Sequence, residues 1–283
     1  MLEIDQFTYG WLTPGLAYVM SVIGSLLALR CMVRARSNPG HRGWTVTAAV
    51  ALGGTGVWVM HFIAMLGFSV HGATIRYNIP ITLISVAIAI VVVWIGLSLV
   101  LRRGTSALLT GGAVTGIGVA AMHYAGMYAM KTDVAMRYDP WLVLVSIVIA
   151  VVAATAALWF ALHVQGVPAT IASAMIMGVA VCGMHYTGMY AMQAHMSDHM
   201  GTPSGAQAGQ LLTPLIIGVS MVTLLLFLQV GITDIHEPDL SRIRGQHASR
   251  YWPSRSTSVD TDETDRYVTG TYRHIDDTGQ HRR

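Results

Sequence analysis

The sequence predicts an all-α, polytopic integral membrane protein with seven transmembrane helices, six of which form three tandem two-helix repeats. Composition indicates the membrane: 53% of the 283 residues are hydrophobic and 11% are charged, whereas an average soluble domain carries about 25% charged residues. A short histidine-containing phrase indicates the repeats, because it recurs three times with a period of 62 residues.

Seven apolar stretches are each long enough to cross a bilayer as a helix, which takes about 20 mostly apolar residues. They cover residues 11–33, 44–68, 79–101, 106–130, 140–163, 168–192 and 212–232. We therefore expect residues 1–232 to form one seven-helix membrane domain. Residues 233–283 are rich in Arg, Asp, Ser and Thr without apolar periodicity, which is typical of a disordered tail.

The basic residues are distributed unevenly between the two sides of this predicted bundle. Of the 17 basic residues, only Arg76, Lys131 and Arg137 fall in the N-terminal segment and the second, fourth and sixth loops. Because cytoplasmic loops retain Lys and Arg, we expect an inner or plasma membrane protein with its N-terminus outside and its tail in the cytoplasm. The basic residues form no aromatic-flanked stripe, so no nucleic-acid partner is expected.

The repeated phrase reads MHFIAM at 60–65, MHYAGM at 122–127 and MHYTGM at 184–189. Its three histidines, called the motif histidines below, are His61, His123 and His185. Each interval between them contains two predicted crossings, so all three end helices of the same direction, near the outer membrane face. Parallel repeats can surround a common axis, so the imidazoles either meet in one layer or serve separate sites.

Six methionines accompany these histidines and are called the motif methionines. Three lie four residues after a histidine on the same helix face, and three directly precede one: Met65, Met127 and Met189, then Met60, Met122 and Met184. Thioether and imidazole ligands together favour copper, whereas zinc sites rarely use Met. Methionine is also ordinary packing material, but a histidine in a membrane helix usually marks a site. The pattern predicts copper bound by motif histidines and methionines.

A glycine precedes each motif histidine by seven residues on the same helix face. These glycines are Gly54, Gly116 and Gly178. Because glycine lets two helix backbones approach closely, each one predicts contact with another helix about two turns away from the histidine.

Tyrosine and outer-loop residues extend the pattern less uniformly. Tyr124 and Tyr186 follow their histidines, but Phe62 takes this place in the first copy, so a hydroxyl is not required in all three. The tyrosines are expected either to anchor the helices at the interface or to support the metal ligands through hydrogen bonds. His195 and His199, four residues apart in QAHMSDHM, belong either to a metal-capture site or to an ordinary polar loop.

The literal MHYT at 184–187 and its triplication resemble the MHYT domain family of bacterial integral-membrane sensors, over about residues 11–232. The resemblance implies copper binding through the motif Met, His and Tyr residues and sensing of O₂, CO or NO. Such domains often precede cyclic-di-GMP-metabolising or histidine-kinase domains. The matching residues here are Met60, His61, Met122, His123, Tyr124, Met184, His185 and Tyr186. Two departures are Phe62 and a tail too short and polar for a catalytic output domain.

Three functions from different classes fit the pattern. The first is a copper-binding sensor in which a diatomic gas or redox change alters helix packing and is reported to a separate cytoplasmic partner. The second is copper transport or handling, which predicts thioethers deeper in the bundle, where Met20, Met175 and Met177 are the candidates. The third is a haem-binding redox protein, although two axial ligands do not explain a threefold repeat. No carboxylate pair or nucleotide loop predicts an enzyme.

Overall fold

The computed structural model describes residues 2–37, 43–196 and 203–236, with backbone alone at 232–236. Residues up to His236 form one compact unit. The predicted tail lies almost entirely outside the described residues, and His199 lies outside them as well.

Seven helices are each long and apolar enough to cross a membrane, so the predicted fold class is confirmed. The helices are α1 Leu12–Ser37, α2 Gly43–Leu66, α3 Ile79–Val100, α4 Thr105–Ala129, α5 Pro140–His163, α6 Val167–Tyr190 and α7 Ala208–His236. Capping explains two of the starts. The Asn78 side chain accepts a hydrogen bond from the Ile81 amide at α3, and Asp139 accepts from Trp141 and Leu142 at α5.

Each repeat is a strand, two helices and a second strand, and its two strands pair with each other in antiparallel fashion. The pairs are β1 Ile4–Asp5 with β2 Ser69–Val70, β3 Ile75–Tyr77 with β4 Met130–Thr132, and β5 Ala135–Tyr138 with β6 Met192–His195. All six strands lie at the end of the bundle that carries the motif histidines. This end is called the histidine end. The opposite end carries Arg36, Arg102 and Arg103 and is called the basic end. Hydropathy and periodicity did not predict these strands.

The six helices of the repeats close into a ring. Each helix contacts the next, and α6 returns to contact α1. Helix α7 packs outside the ring against α1 and α2, where the hydroxyls of Thr55 and Thr223 are hydrogen bonded. Helix α2 is therefore enclosed on several sides: 89% of its membrane-spanning window is buried, against 17% for α5.

Helix α2 differs from its counterparts α4 and α6 because its middle, Val50–Val59, is π-helical. A π-helix adds a residue to each hydrogen-bonded turn and so changes which residue faces a neighbour. The predicted close approach is found at Gly116, against the backbone of Val151, and at Gly178, against the side chains of Val22 and Tyr18 of α1. It is wrong for Gly54, because Gly53 instead meets the backbone of α3.

Candidate metal centre

The motif histidines meet in one buried cluster at the histidine end. Their Nδ1 atoms are 3.0 Å apart between His61 and His185, 3.1 Å between His61 and His123, and 3.3 Å between His123 and His185. Each residue is at most 1% exposed. The ring planes are nearly perpendicular to one another, at 78° to 86°. From the sequence, the three imidazoles could either meet in one layer or serve separate sites. In the structure they meet.

One backbone hydrogen bond, repeated three times, fixes the depth of the helices that carry these histidines. The amide before the first helix of each repeat donates to the carbonyl six residues after the motif histidine. The pairs are Thr8 to Gly67 at 3.0 Å, Asn78 to Ala129 at 2.8 Å and Asp139 to Ala191 at 2.8 Å. Because the same bond forms in every repeat, the three histidines lie at equal depth and point into one layer.

Two glycines make room for the imidazole rings. A methyl group at Gly126 would overlap Nε2 of His61, and one at Gly188 would overlap Nε2 of His123. Each glycine stands three residues after the next motif histidine, so each ring packs on the helix backbone of the following repeat. The same position in the first copy is Ala64. Sequence reasoning missed these glycines, although Gly is visible at this place in two of the three phrases.

The cluster leaves polar atoms without protein partners. The Nε2 atom of each motif histidine is buried. Within the described residues it neither donates nor accepts a hydrogen bond. Three neutral imidazoles carry one N–H each, and three Nδ1 atoms form at most two hydrogen bonds among themselves. At least one N–H then stays unsatisfied, which costs about 1–3 kcal/mol. An ion coordinated by all three Nδ1 lone pairs would remove the competition for hydrogen bonds among those atoms and would place the three N–H groups at the buried Nε2 atoms.

The donor geometry fits a first-row metal ion. Two nitrogens bound about 2.0 Å from a tetrahedral ion are about 3.3 Å apart, close to the observed 3.0, 3.1 and 3.3 Å. Among the described residues, no Cys, Asp or Glu joins this group of three ligands. Cys182, one turn before His185, has a free thiol outside the group. Three imidazoles occupy three coordination positions and leave one open, as in metal sites that bind exogenous ligands.

The aromatic residues after the histidines are supported in different ways. Tyr124 donates to Ser146 Oγ at 2.6 Å, and Ser146 in turn donates to the carbonyl of Val143. In the first repeat Phe62 has no hydroxyl, and Trp58 Nε1 donates to Ser85 at 2.9 Å instead. The Tyr186 hydroxyl is buried without a hydrogen-bond partner in the described part of the chain. A tryptophan one turn earlier thus supplies the donor that phenylalanine lacks.

The remaining predicted site residues are less directly placed. All six motif methionines belong to the buried core, which suits packing and ligation alike, so their role as ligands remains a prediction. His195 lies in β6 outside the cluster, with Nε2 buried and unpartnered among the described residues. Its role in metal capture also remains a prediction.

The fold and the cluster define a multi-pass membrane domain made of three like repeats. The chain belongs to the MHYT family, described as the bacterial signalling protein N-terminal repeat, whose model matches residues 54–113, 116–174 and 178–237. Each matched segment contains one histidine of the cluster. The resemblance drawn from the sequence is therefore confirmed, and the chain is a membrane domain of a bacterial signalling family.

Curated relatives are similar over most of this chain. It is 31% identical to the bifunctional diguanylate cyclase/cyclic di-GMP phosphodiesterase MucR of Pseudomonas aeruginosa, over 80% of this chain and 34% of that protein. It is 34% identical to the cyclic di-GMP phosphodiesterase NbdA of the same organism, over 72% and 27%. Signaling protein YkoW of Bacillus subtilis is 29% identical over 66% and 24%. The chain thus spans about a third or less of their length. No solved structure matches it.

Proposed function

We propose that the motif histidines bind one copper ion and that the domain is a sensor whose signal depends on the ligand or redox state of that ion. The convergence of three Nδ1 atoms within 3.3 Å of one another is the observation that carries this proposal. Copper is favoured over other first-row metals because imidazole suits both of its oxidation states and because the motif methionines offer thioethers beside the cluster. The domain acts as a sensor rather than as an enzyme.

The sensed ligand is a diatomic gas such as O₂, CO or NO, or else the redox state itself. An ion held by the three motif histidines would keep one coordination position open, and such a ligand would bind there. A small cavity of about 40 Å³ in the bundle favours a diatomic gas as the sensed ligand, because most of its lining residues are apolar. They include Leu52, Val119 and Met184. None of the motif histidines lines this cavity; Met184, which directly precedes His185, is its lining residue nearest to the cluster in sequence.

Ligand binding then alters the packing of α2, α4 and α6, whose ends carry the cluster, and the change reaches a separate signalling partner at the basic end. The excess of Arg at that end supports a cytoplasmic basic end and an N-terminus outside. The relatives support a signalling role, because their names describe signalling proteins or enzymes of cyclic-di-GMP turnover.

Two other functions have less support. A transport path needs thioethers through the bundle; of the candidates, Met177 is buried, but Met175 is 48% exposed and Met20 is only partly buried, so they form no continuous buried series. A haem needs its two axial histidines on opposite faces of the porphyrin, and Nδ1 atoms 3.0 to 3.3 Å apart leave no space for the ring. Copper sensing accounts for the threefold cluster without either difficulty.

The experiment is metal analysis of the full chain purified in detergent, with single substitutions His61→Ala, His123→Ala and His185→Ala. His71→Ala is the matched control, because His71 is exposed and lies outside the cluster. We expect copper in the wild type and the control and its loss in each cluster variant. A wild type that takes up no copper, or a cluster variant that keeps it, contradicts the proposal. For the gas, the infrared band of CO on the reduced protein should appear in the wild type and in the His71→Ala control and be absent from each cluster variant.

A further inference from the structure

The basic end of the bundle contains a large cavity that the metal centre does not use. Its volume is about 1120 Å³. It is formed where α1, α3 and α5 end and where α2 and α4 begin, and it is called the basic cavity below. Two tryptophans, Trp94 and Trp159, line it and are 43% and 46% exposed. Tryptophan is typical of the membrane–water interface, so the cavity opens at the depth of the lipid headgroups.

The lining is positively charged. Arg36, Arg102, Arg103 and His163 line the cavity, and no Asp or Glu does so within the described residues. The carboxylates whose side chains are described all lie at the other end of the bundle: Glu3, Asp5, Asp133 and Asp139. The basic cavity therefore has no described counter-charge, and it attracts anions.

The four basic side chains are not equivalent. Arg36 is held in place, because its guanidinium donates to the carbonyls of Leu162 and Val164 at the end of α5. His163 Nδ1 donates to the carbonyl of Trp159 at 2.9 Å, which leaves its Nε2 edge for a ligand. Arg102 and Arg103 are exposed, and their side chains have no hydrogen bond or ion pair in the described part of the chain; only their backbone amides are bonded, to Leu99 and Val100. These two arginines are the free donors.

The backbone turn between α3 and α4 presents this arginine pair. Arg103 has φ of 61° and Gly104 has φ of 109°, and α4 then begins without a side-chain cap. A left-handed arginine costs free energy and persists only where the surrounding structure holds it. The uncapped first-turn amides of α4 add positive partial charge beside the arginines. Hydroxyls of Thr45, Ser98 and Thr105 complete a lining of hydrogen-bond donors.

The repeats provide an internal comparison for this turn. Gly166 is the counterpart of Gly104, 62 residues later, and it also has positive φ, at 80°. The counterparts of Arg102 and Arg103 are Val164 and Gln165. The positive φ of the glycine is therefore repeated, whereas neither the charge nor the left-handed residue before the glycine is. A helix of the same bundle starts after such a glycine without an arginine pair, so the pair is a feature of this turn alone and is available for binding.

We propose that the basic cavity binds the phosphate group of an anionic ligand through Arg102 and Arg103, with Arg36 and His163 at its wall. Guanidinium groups bind phosphate oxygens with paired, charge-assisted hydrogen bonds. The phosphate belongs either to a phospholipid headgroup that enters from the bilayer or to a soluble phosphorylated molecule. The site is independent of the metal, because it lies at the opposite end of the helices.

The test measures binding to the full chain in detergent with three probes. Native mass spectrometry follows short-chain phosphatidate and, as the neutral comparison, short-chain phosphatidylcholine, and equilibrium dialysis follows radiolabelled inorganic phosphate. The variant is Arg102→Ala with Arg103→Ala. Arg137→Ala is the matched control, because Arg137 is an exposed arginine at the histidine end.

We expect the double variant to bind at least about tenfold more weakly, since each charge-assisted hydrogen bond contributes to affinity, and the control to bind as the wild type does. Retention of phosphatidate alone assigns a lipid headgroup, and binding of inorganic phosphate assigns a soluble ligand; both support the site. Equal retention of phosphatidylcholine, equal binding by the double variant, or binding of neither anion overturns it. Unchanged circular dichroism and copper content of the variant establish that it is folded.

Discussion

The two ends of the bundle differ in symmetry, charge and access. The histidine end carries three strand pairs and a cluster in which each histidine is at most 1% exposed. The basic end has an open cavity of about 1120 Å³ lined by arginines. The threefold repeat is kept where three side chains must meet, and it is lost where a single arginine pair suffices. We infer that the convergence of the three histidines constrains one end of every repeat, while the other end is less constrained.

The largest effect is expected from filling the space beside the cluster. Gly188→Ala places a methyl group against Nε2 of His123 and should cost roughly 2–3 kcal/mol of unfolding free energy, together with the copper. Gly183→Ala, on the same helix, meets nothing within 4 Å and should be stabilising by about 1 kcal/mol, because alanine favours helix. Thermal unfolding in detergent and metal analysis compare the two. Equal effects of the two substitutions would show that the cluster does not depend on this glycine.

A smaller effect is expected from the donor that is peculiar to the first repeat. Trp58→Phe removes the hydrogen bond to Ser85 and should cost about 1–2 kcal/mol. Adding Phe62→Tyr to this variant recreates the hydroxyl that Tyr124 offers to Ser146 in the second repeat, so part of the stability should return. A double-mutant cycle of unfolding free energies measures the coupling. Strictly additive costs would mean that tryptophan does not substitute for the tyrosine hydroxyl.

Alkaline pH should weaken the histidine end selectively. Burial raises the pKa of Tyr77, which lies in β3, above its ordinary value of 10.0. Burial also raises the pKa of Tyr138 in β5, and Tyr124 adds to the shift. Because the folded state holds both phenols neutral, their contribution is complete below pH 10 and is lost as the pH rises above it. Tyr77→Phe should flatten the decline of unfolding temperature above that pH; an unchanged profile would exclude Tyr77 as its source.

The smallest effect on the metal centre is expected from the basic end. Arg102→Ala with Arg103→Ala should leave the copper content unchanged and alter the unfolding free energy by at most about 0.5 kcal/mol, because both side chains are exposed. Metal analysis and thermal unfolding beside the wild type provide the measurement. Loss of copper from this variant would mean that the two ends are not independent in stability.

The sequence was sufficient for the helices but not for the details that join them. Hydropathy and a 62-residue period predict seven helices and three motif histidines at equal depth, because both depend on length and composition. Periodicity does not determine how far each helix is rotated, so convergence of the imidazoles needed the structure. The strands are two to four residues long and pair across whole helix hairpins, as Ile75 does with Thr132. The close helix contact is at Gly53 and not at the predicted Gly54, because the middle of α2 is π-helical. A π-helix has no simple sequence signal.

The central proposal is that the motif histidines share one ion. The most direct measurement is the copper-to-protein ratio of the purified chain, combined with X-ray absorption at the copper edge to count imidazole ligands. One copper per chain with three imidazole nitrogens is the predicted result. Three coppers per chain, or one copper with fewer than three imidazoles, would contradict it.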